Sequence, residues 1–181
     1  MPSPVGTPHG SRDNTVAFCL GYYEACTPGC EAINNSTCLM LEDAPQPDVA
    51  LRILPEYGGQ SGQQGPLLLG APELVAEVCG SSASYDLGPK LRLYRDAGVP
   101  EYVAVLVDEP RVIWHELVGG EYTVRKPDAD GILRSRVFPG LWLDPRALLD
   151  GNKARLLDVL NQGLKSPEHE AFVRALAARK R

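Results

Sequence analysis

Three charged residues lie in apolar surroundings along this chain, and their types could do chemistry together. Glu77 interrupts the run Leu74-Val75-Ala76-Glu77-Val78-Cys79, and Asp48, directly after Pro47, opens an alternating stretch that ends at Leu54. Lys90 is the third. With Leu87 to Ala97 drawn as a helix at about 100° per residue, Leu87, Leu91, Leu93, Tyr94 and Ala97 fill one arc, while Arg92, Arg95 and Asp96 fill the opposite one. Lys90 falls in the middle of the apolar arc. Moving an ammonium out of water costs several kcal/mol unless an anion receives it, so a partner is expected from another segment. Two carboxylates are the hard oxygen ligands that Mg²⁺ or Mn²⁺ takes, with waters and a substrate phosphate completing the shell. Held about 4 Å apart without a cation, they would repel by roughly 1 to 4 kcal/mol. In phosphodiester hydrolysis such a cation polarises the phosphoryl group and acidifies a bound water, and an ammonium nearby orients that water and offsets transition-state charge. Asp48 and Glu77 are therefore candidate metal ligands, and Lys90 is the candidate catalytic ammonium.

The elements that must position these groups can be read from periodicity and punctuation. Residues 1–13 are polar and rich in Pro and Gly and read as a flexible arm, followed by a helix from Thr15 to Ala25 with Asn14 as its N-cap. Glu31 to Asn34 and Thr37 to Leu41 suggest a short hairpin about Asn35-Ser36. In the next strand, Val49, Leu51 and Ile53 share one face and Asp48, Ala50 and Arg52 share the other. Tyr57 to Pro66 is low in complexity and predicts a mobile loop. Leu74 to Cys79 is a strand of buried type, and Gly80-Ser81-Ser82 breaks it. Asp86 reads as the N-cap of the helix bearing Lys90, with Pro89 tolerated in its first turn. Strands follow at Glu101 to Val107, Arg111 to Val118, Glu121 to Lys126 and Ile132 to Phe138, then terminal helices at Asp144 to Leu160 and Pro167 to Arg179. The division expected is an arm over 1–13, one domain over 14–150 and a helical extension over 151–181.

Composition bounds the alternatives. At 181 residues, 44% hydrophobic and 23% charged, the chain can bury one full core. No apolar stretch approaches the roughly 18 residues a membrane span needs. Five cysteines without Cys-x-x-Cys pairing fit reduced thiols in a cytoplasm. His9 in the arm, His115 on a strand and His169 in the tail helix form no cluster for zinc. The net charge of −5 advertises no polyanion partner, yet it is unevenly spread. From Gly151 onward there are seven Lys/Arg against three Asp/Glu, leaving 11 against 20 for the first 150 residues. The extension is thus basic.

Four segments in order carry a family resemblance: Pro47-Asp48-Val49, Ala71-Pro72-Glu73-Leu74-Val75-Ala76-Glu77-Val78, Asp86-Leu87-Gly88-Pro89-Lys90-Leu91-Arg92-Leu93-Tyr94 and Gly98-Val99-Pro100-Glu101-Tyr102. Together with Pro139-Gly140-Leu141 they resemble the Uma-two family of restriction-endonuclease-like proteins, within the PD-(D/E)xK nuclease superfamily. The resemblance implies an α/β (α+β) fold in which a restriction-endonuclease-like mixed β-sheet is flanked by helices, here with C-terminal helices added. It implies a Mg²⁺- or Mn²⁺-dependent DNA endonuclease, with Asp48 and Glu77 as ligands and Val78 lending its backbone carbonyl. The superfamily's usual lysine would stand two residues after the glutamate, where this chain has Cys79. The resemblance implies a lysine migrated to the next helix, and Lys90 stands there. A two-strand cut would make a homodimer the expected assembly. Two other readings remain open. One is a catalytically inactive nuclease-fold module that binds nucleic acid or protein, compatible with the acidic charge and Cys79. The other is a structural domain in which Lys90 merely pairs with Glu77.

Overall fold

The computed structural model describes residues 6–80 and 83–180. The chain opens with helix α1 (Thr7–Ala25), then β1 (Cys30–Asn34), β2 (Cys38–Leu39), β3 (Val49–Ile53), β4 (Gly62–Gln64), β5 (Leu67–Leu69) and β6 (Leu74–Cys79). Helix α2 (Ala83–Tyr85), a π-helical turn (Asp86–Lys90) and α3 (Leu91–Asp96) form one continuous helical segment. There follow β7 (Glu101–Leu106), β8 (Arg111–Val118), β9 (Glu121–Arg125), β10 (Leu133–Arg134) and β11 (Trp142–Leu143), then α4 (Pro145–Asp150), α5 (Lys153–Leu164) and α6 (Pro167–Arg179).

Six strands make the main sheet in the order β1-β3-β6-β7-β8-β9. β6 and β7 run parallel, and the other neighbours are antiparallel. A parallel pair needs a crossover, and the helical segment carrying Lys90 supplies it. Because side chains alternate between faces, Ala76, Val78, Val103 and Val105 turn toward Val16, Cys19, Leu20 and Tyr23 of α1. Val75, Cys79, Tyr102, Ala104 and Leu106 turn the other way, against Tyr94 of α3. Both faces of β3, β6 and β7 are therefore covered, which is why every residue of these strands is buried.

Several expectations change. The stretch read as a flexible arm is helical from Thr7, so Asn14 lies inside α1 and Gly6 occupies the N-cap. Pro8 is compatible because it sits in the first turn, where its missing N–H has no intrahelical partner; residues 1–5 lie outside the described residues. The expected hairpin does not form: β1 pairs with β3 and β2 pairs in parallel with β5. Asn35, at a φ of 48°, turns the chain away between them. The glutamine-glycine segment is tied down as well, since β4 pairs with β5 and Ser61 is buried. The long helix expected from Asp144 divides at Gly151, whose φ of 69° ends α4. Only Leu133–Arg134 of the strand expected from Ile132 to Phe138 is extended and paired. In the C-terminal extension, Leu156, Leu160 and Leu176 are buried in the same core as α1.

Candidate active site

Glu77 and Asp48 meet through strand register. Val49 pairs with Ala76 and Ala50 with Val75, so the antiparallel register extended by one residue sets Asp48 opposite Glu77. Directly opposed side chains share a face with Cβ atoms about 5 Å apart. The ladder stops there because Pro47 has no N–H, and Asp48 itself continues it by accepting the Val78 N–H on Oδ2 at 2.7 Å. A strand residue presents its N–H and C=O to the same side. The Val78 carbonyl accordingly faces the Asp48 edge, whereas the next carbonyl, of Cys79, accepts from Val107 on the β7 side.

Lys90 reaches this pair from the crossover. Its Nζ lies 2.9 Å from Glu77 Oε1 and 3.4 Å from Asp86 Oδ1. Tyr94, one α-helical turn beyond Lys90, donates its hydroxyl to the same Oε1 at 2.7 Å. The two donors are spaced as a helix requires, and the wide turn before them accommodates Pro89. Asp86 is not the N-cap it resembles. It lies inside the helical segment that begins at Ala83, is 3% exposed and stands beside Lys90. Cys79, at the position two residues after Glu77, is 1% exposed on the face that also carries Glu77. Burial pushes its thiol up, with Asp86 adding to the effect, so it stays neutral.

Burial is also the largest influence on Glu77, raising its carboxyl to about 7 although Lys90 and Tyr94 both oppose the shift. Burial works against the charge of Lys90, but Glu77, Asp86 and Asp48 together outweigh it and hold the ammonium above its ordinary value. Two other buried glutamates provide a comparison. Glu73 accepts the Ile53 and Gln60 N–H groups with its two oxygens, and Glu101 accepts Ser135 Oγ and the Arg136 N–H. Those carboxylates clamp loops and have both oxygens engaged. Glu77 commits only Oε1, and Asp48 only Oδ2, among the described residues. One oxygen on each of two opposed carboxylates, with a carbonyl facing the same edge, suits a small oxygen-seeking cation that retains several waters. Among the described residues no group of three or more His, Cys, Asp or Glu side chains is placed to hold a metal.

Helix α1 packs on the opposite face of the sheet, and its N-terminal turns reach the end of β6. A Cβ placed on Gly80 would lie 3.7 Å from His9 Cδ2, and the Asp13 carboxyl is raised by burial and then by the charge of Asp48. Both residues fell in the segment read as an arm. The signal was present: His9, Asp13 and Val16 recur at helical spacing with Leu20. Ser81 and Ser82, part of the turn expected after β6, lie outside the described residues.

A mixed sheet with helices on both faces and an acidic pair at one strand end is the restriction-endonuclease-like nuclease architecture. A solved protein of the same fold, "a putative nuclease belonging to DUF820 from Anabaena variabilis ATCC 29413", is similar with a TM-score of 0.65 and 16% identity, over 83% of this chain and 84% of that one. The model of the Uma2 family, described as "Putative restriction endonuclease", matches residues 1–146, and the chain belongs to that family. Among curated proteins none matches it. Family membership supports a nuclease-like function and a nucleic acid as the substrate. No helix of the described residues is long and apolar enough to cross a membrane.

Proposed function

We propose that this protein is a Mg²⁺- or Mn²⁺-dependent DNA endonuclease that hydrolyses phosphodiester bonds at the Asp48–Glu77–Lys90 cluster. The observation that carries this reading is the Lys90 ammonium 2.9 Å from a buried glutamate whose other oxygen is uncommitted among the described residues. Asp48 Oδ1, Glu77 Oε2 and the Val78 carbonyl would hold the cation. When bound, the cation supplies Lewis-acid polarisation of the phosphate and acidifies water. Lys90 keeps Glu77 oriented and presents its remaining protons toward the attacking water, and its charge offsets what builds up on the phosphorane-like transition state. Tyr94 fixes the same carboxylate oxygen and has no direct part in proton transfer, since burial and Glu77 both push its hydroxyl upward. Asp86 limits the swing of Lys90.

Cutting both strands calls for two such clusters, which a homodimer would supply. All five cysteines are free, and four are buried, which suits a reducing cytoplasm.

Plasmid nicking tests the reading. Wild type should convert supercoiled to open-circular DNA with Mg²⁺ or Mn²⁺, and Glu77→Gln and Lys90→Ala should each fall by at least about 100-fold. Equal nicking by all three proteins would assign the activity to a contaminant and defeat the reading.

A further inference from the structure

The main sheet ends at β9, and the outer side of that strand pairs with nothing among the described residues. Register decides which groups face outward. The Leu117 N–H donates to the Pro100 carbonyl on the β7 side, so Glu116 and Val118 present their backbone groups to Thr123 and Glu121 of β9. Tyr122 and Val124, between and beyond those residues, therefore turn their N–H and C=O groups away from the sheet. The two-residue turn Gly119-Gly120, with positive φ values of 60° and 86°, holds this phase. An open strand edge of this kind is a template for pairing with another chain.

The sequence of β9, Glu121-Tyr122-Thr123-Val124-Arg125, complements its own reverse. Two copies laid antiparallel about Thr123 set Glu121 opposite the partner's Arg125 at both ends, and Tyr122 opposite the partner's Val124 between them. The backbone phase agrees, because Tyr122 and Val124 carry the outward groups and directly opposed residues of that kind exchange both N–H···O bonds. Moving the centre by one residue either way leaves Glu121 and Arg125 without each other.

The side chains are prepared for this contact. Tyr122 donates its hydroxyl to the Val99 carbonyl at 2.8 Å and packs against Tyr102 and His115, so its ring is fixed. Val124, on the same face, is 59% exposed, and the pairing sets the partner's Tyr122 against it. Glu121 meets Arg95 through Oε2 and Arg125 meets Glu116 through Nη1, which leaves an oxygen on one and several N–H groups on the other for a partner. The opposite edge of the sheet lacks this pattern: Glu31 is the only charged residue of Cys30–Asn34, and it pairs with Arg52.

We infer that the free edge of β9 is an interface with a second copy of this chain, the two strands joining antiparallel about Thr123 into one continuous sheet, with Glu121–Arg125 pairs at both ends fixing the register. The inference gives a surface to the homodimer invoked above and depends on no catalytic step. Glu77 on β6 is separated from the junction by β7 and β8, so pairing and nicking can be measured independently.

The junction is short, so association should fall in the micromolar range, and sedimentation velocity from about 1 to about 200 µM covers it. Glu121→Arg alone and Arg125→Glu alone should each raise the dimer Kd at least about tenfold, because each sets like charges opposite at both ends. An equimolar mixture of the two variants should recover the dimer, since one of each places opposite charges at both ends again. Val124→Pro removes an outward N–H that has no partner within the chain, so it should abolish the dimer without lowering the melting temperature of dilute protein. A wild type that stays monomeric throughout, a dimer indifferent to both charge variants, or a mixture that associates no better than its components overturns the inference. Charge-dependent dimers together with absence of wild-type nicking would overturn the catalytic reading and leave the interface standing.

Discussion

Lys90 Nζ lies 2.9 Å from Glu77 Oε1 across 13 residues of sequence, and the Tyr94 hydroxyl touches the same oxygen at 2.7 Å. One glutamate oxygen thus receives two donors from consecutive turns of one helical segment. The arrangement replaces the shorter route by which a strand lysine at position 79 would have reached the site.

Cation binding should be visible without any substrate. With about 10 mM Mg²⁺ and a dissociation constant near 1 mM, mass action adds roughly 1.4 kcal/mol, or a rise of a few degrees in melting temperature for a chain of this size. Asp48→Asn keeps an oxygen to accept the Val78 N–H, so its fold should survive while the rise disappears. A wild-type melt indifferent to both Mg²⁺ and Mn²⁺ would remove the metal site.

Glu77 makes stability depend on pH in a defined sense. Its folded carboxyl titrates near 7 against an ordinary value of 4.5, so the folded protein holds that proton more tightly than the unfolded chain does. The contribution is fully present below about pH 4.5 and is lost as pH rises through 7. It amounts to no more than about 3 kcal/mol. Urea midpoints taken from pH 5 to pH 8 should therefore fall more for wild type than for Glu77→Gln, and the difference should shrink when Mg²⁺ is added. Parallel curves for the two proteins would contradict the assignment.

Tyr94→Phe removes one of the two donors on Glu77 Oε1 and changes little else in shape. The expected cost is about 1 to 2 kcal/mol, read from a denaturant titration at pH 8, where Glu77 is ionised. Losing that donor also raises the Glu77 carboxyl further, so the alkaline rise of nicking activity should move to higher pH. A variant that is less stable but has an unmoved pH profile would separate Tyr94 from the site.

Gly163 tests the seat of the C-terminal helices. A Cβ there would collide with the Gly140 carbonyl oxygen and come within 2.8 Å of Trp142 Cγ. Because both obstacles belong to packed structure, Gly163→Ala should cost about 3 kcal/mol and lower the melting temperature by about 10 °C. A melt within 2 °C of wild type, by the same scale, would mean that α5 can slide away from the Pro139-Gly140 turn.

What could be read from the sequence divides by the kind of physics involved. Lys90 was legible because an ammonium on an apolar arc has to find an anion, and Glu77 because a charge in a strand of buried type needs a reason. The segment around Lys90 winds as a π turn, yet Lys90 and Tyr94 keep ordinary helical spacing and the arc still pointed the right way. The strands Glu101–Leu106 and Arg111–Val118 followed from the turn residues that bound them. Partner choice was not legible: alternation in Cys30–Asn34 marks a strand but does not say that β3 will be its neighbour. The start of α1 was hidden by composition, since Pro8 and Gly10 suggested an arm although both fit a first turn. Asp86 looked like a cap because the turn of helix before it, from Ala83, left no periodic signal; His169 stands in the tail helix as expected, but its bond to Thr27 across 142 residues depends on a distant segment.

The double donation to Glu77 Oε1 also bears on which ions the site would prefer. A carboxylate with one oxygen already committed can offer only the other, so it would bind a metal through a single oxygen and not clasp it with two. Calcium favours higher coordination and often takes carboxylates two oxygens at a time, whereas the smaller magnesium ion accepts single oxygens in an octahedron and keeps its waters. Lys90 and Tyr94 would then set ionic selectivity without touching the ion, acting as a size filter built from two hydrogen bonds.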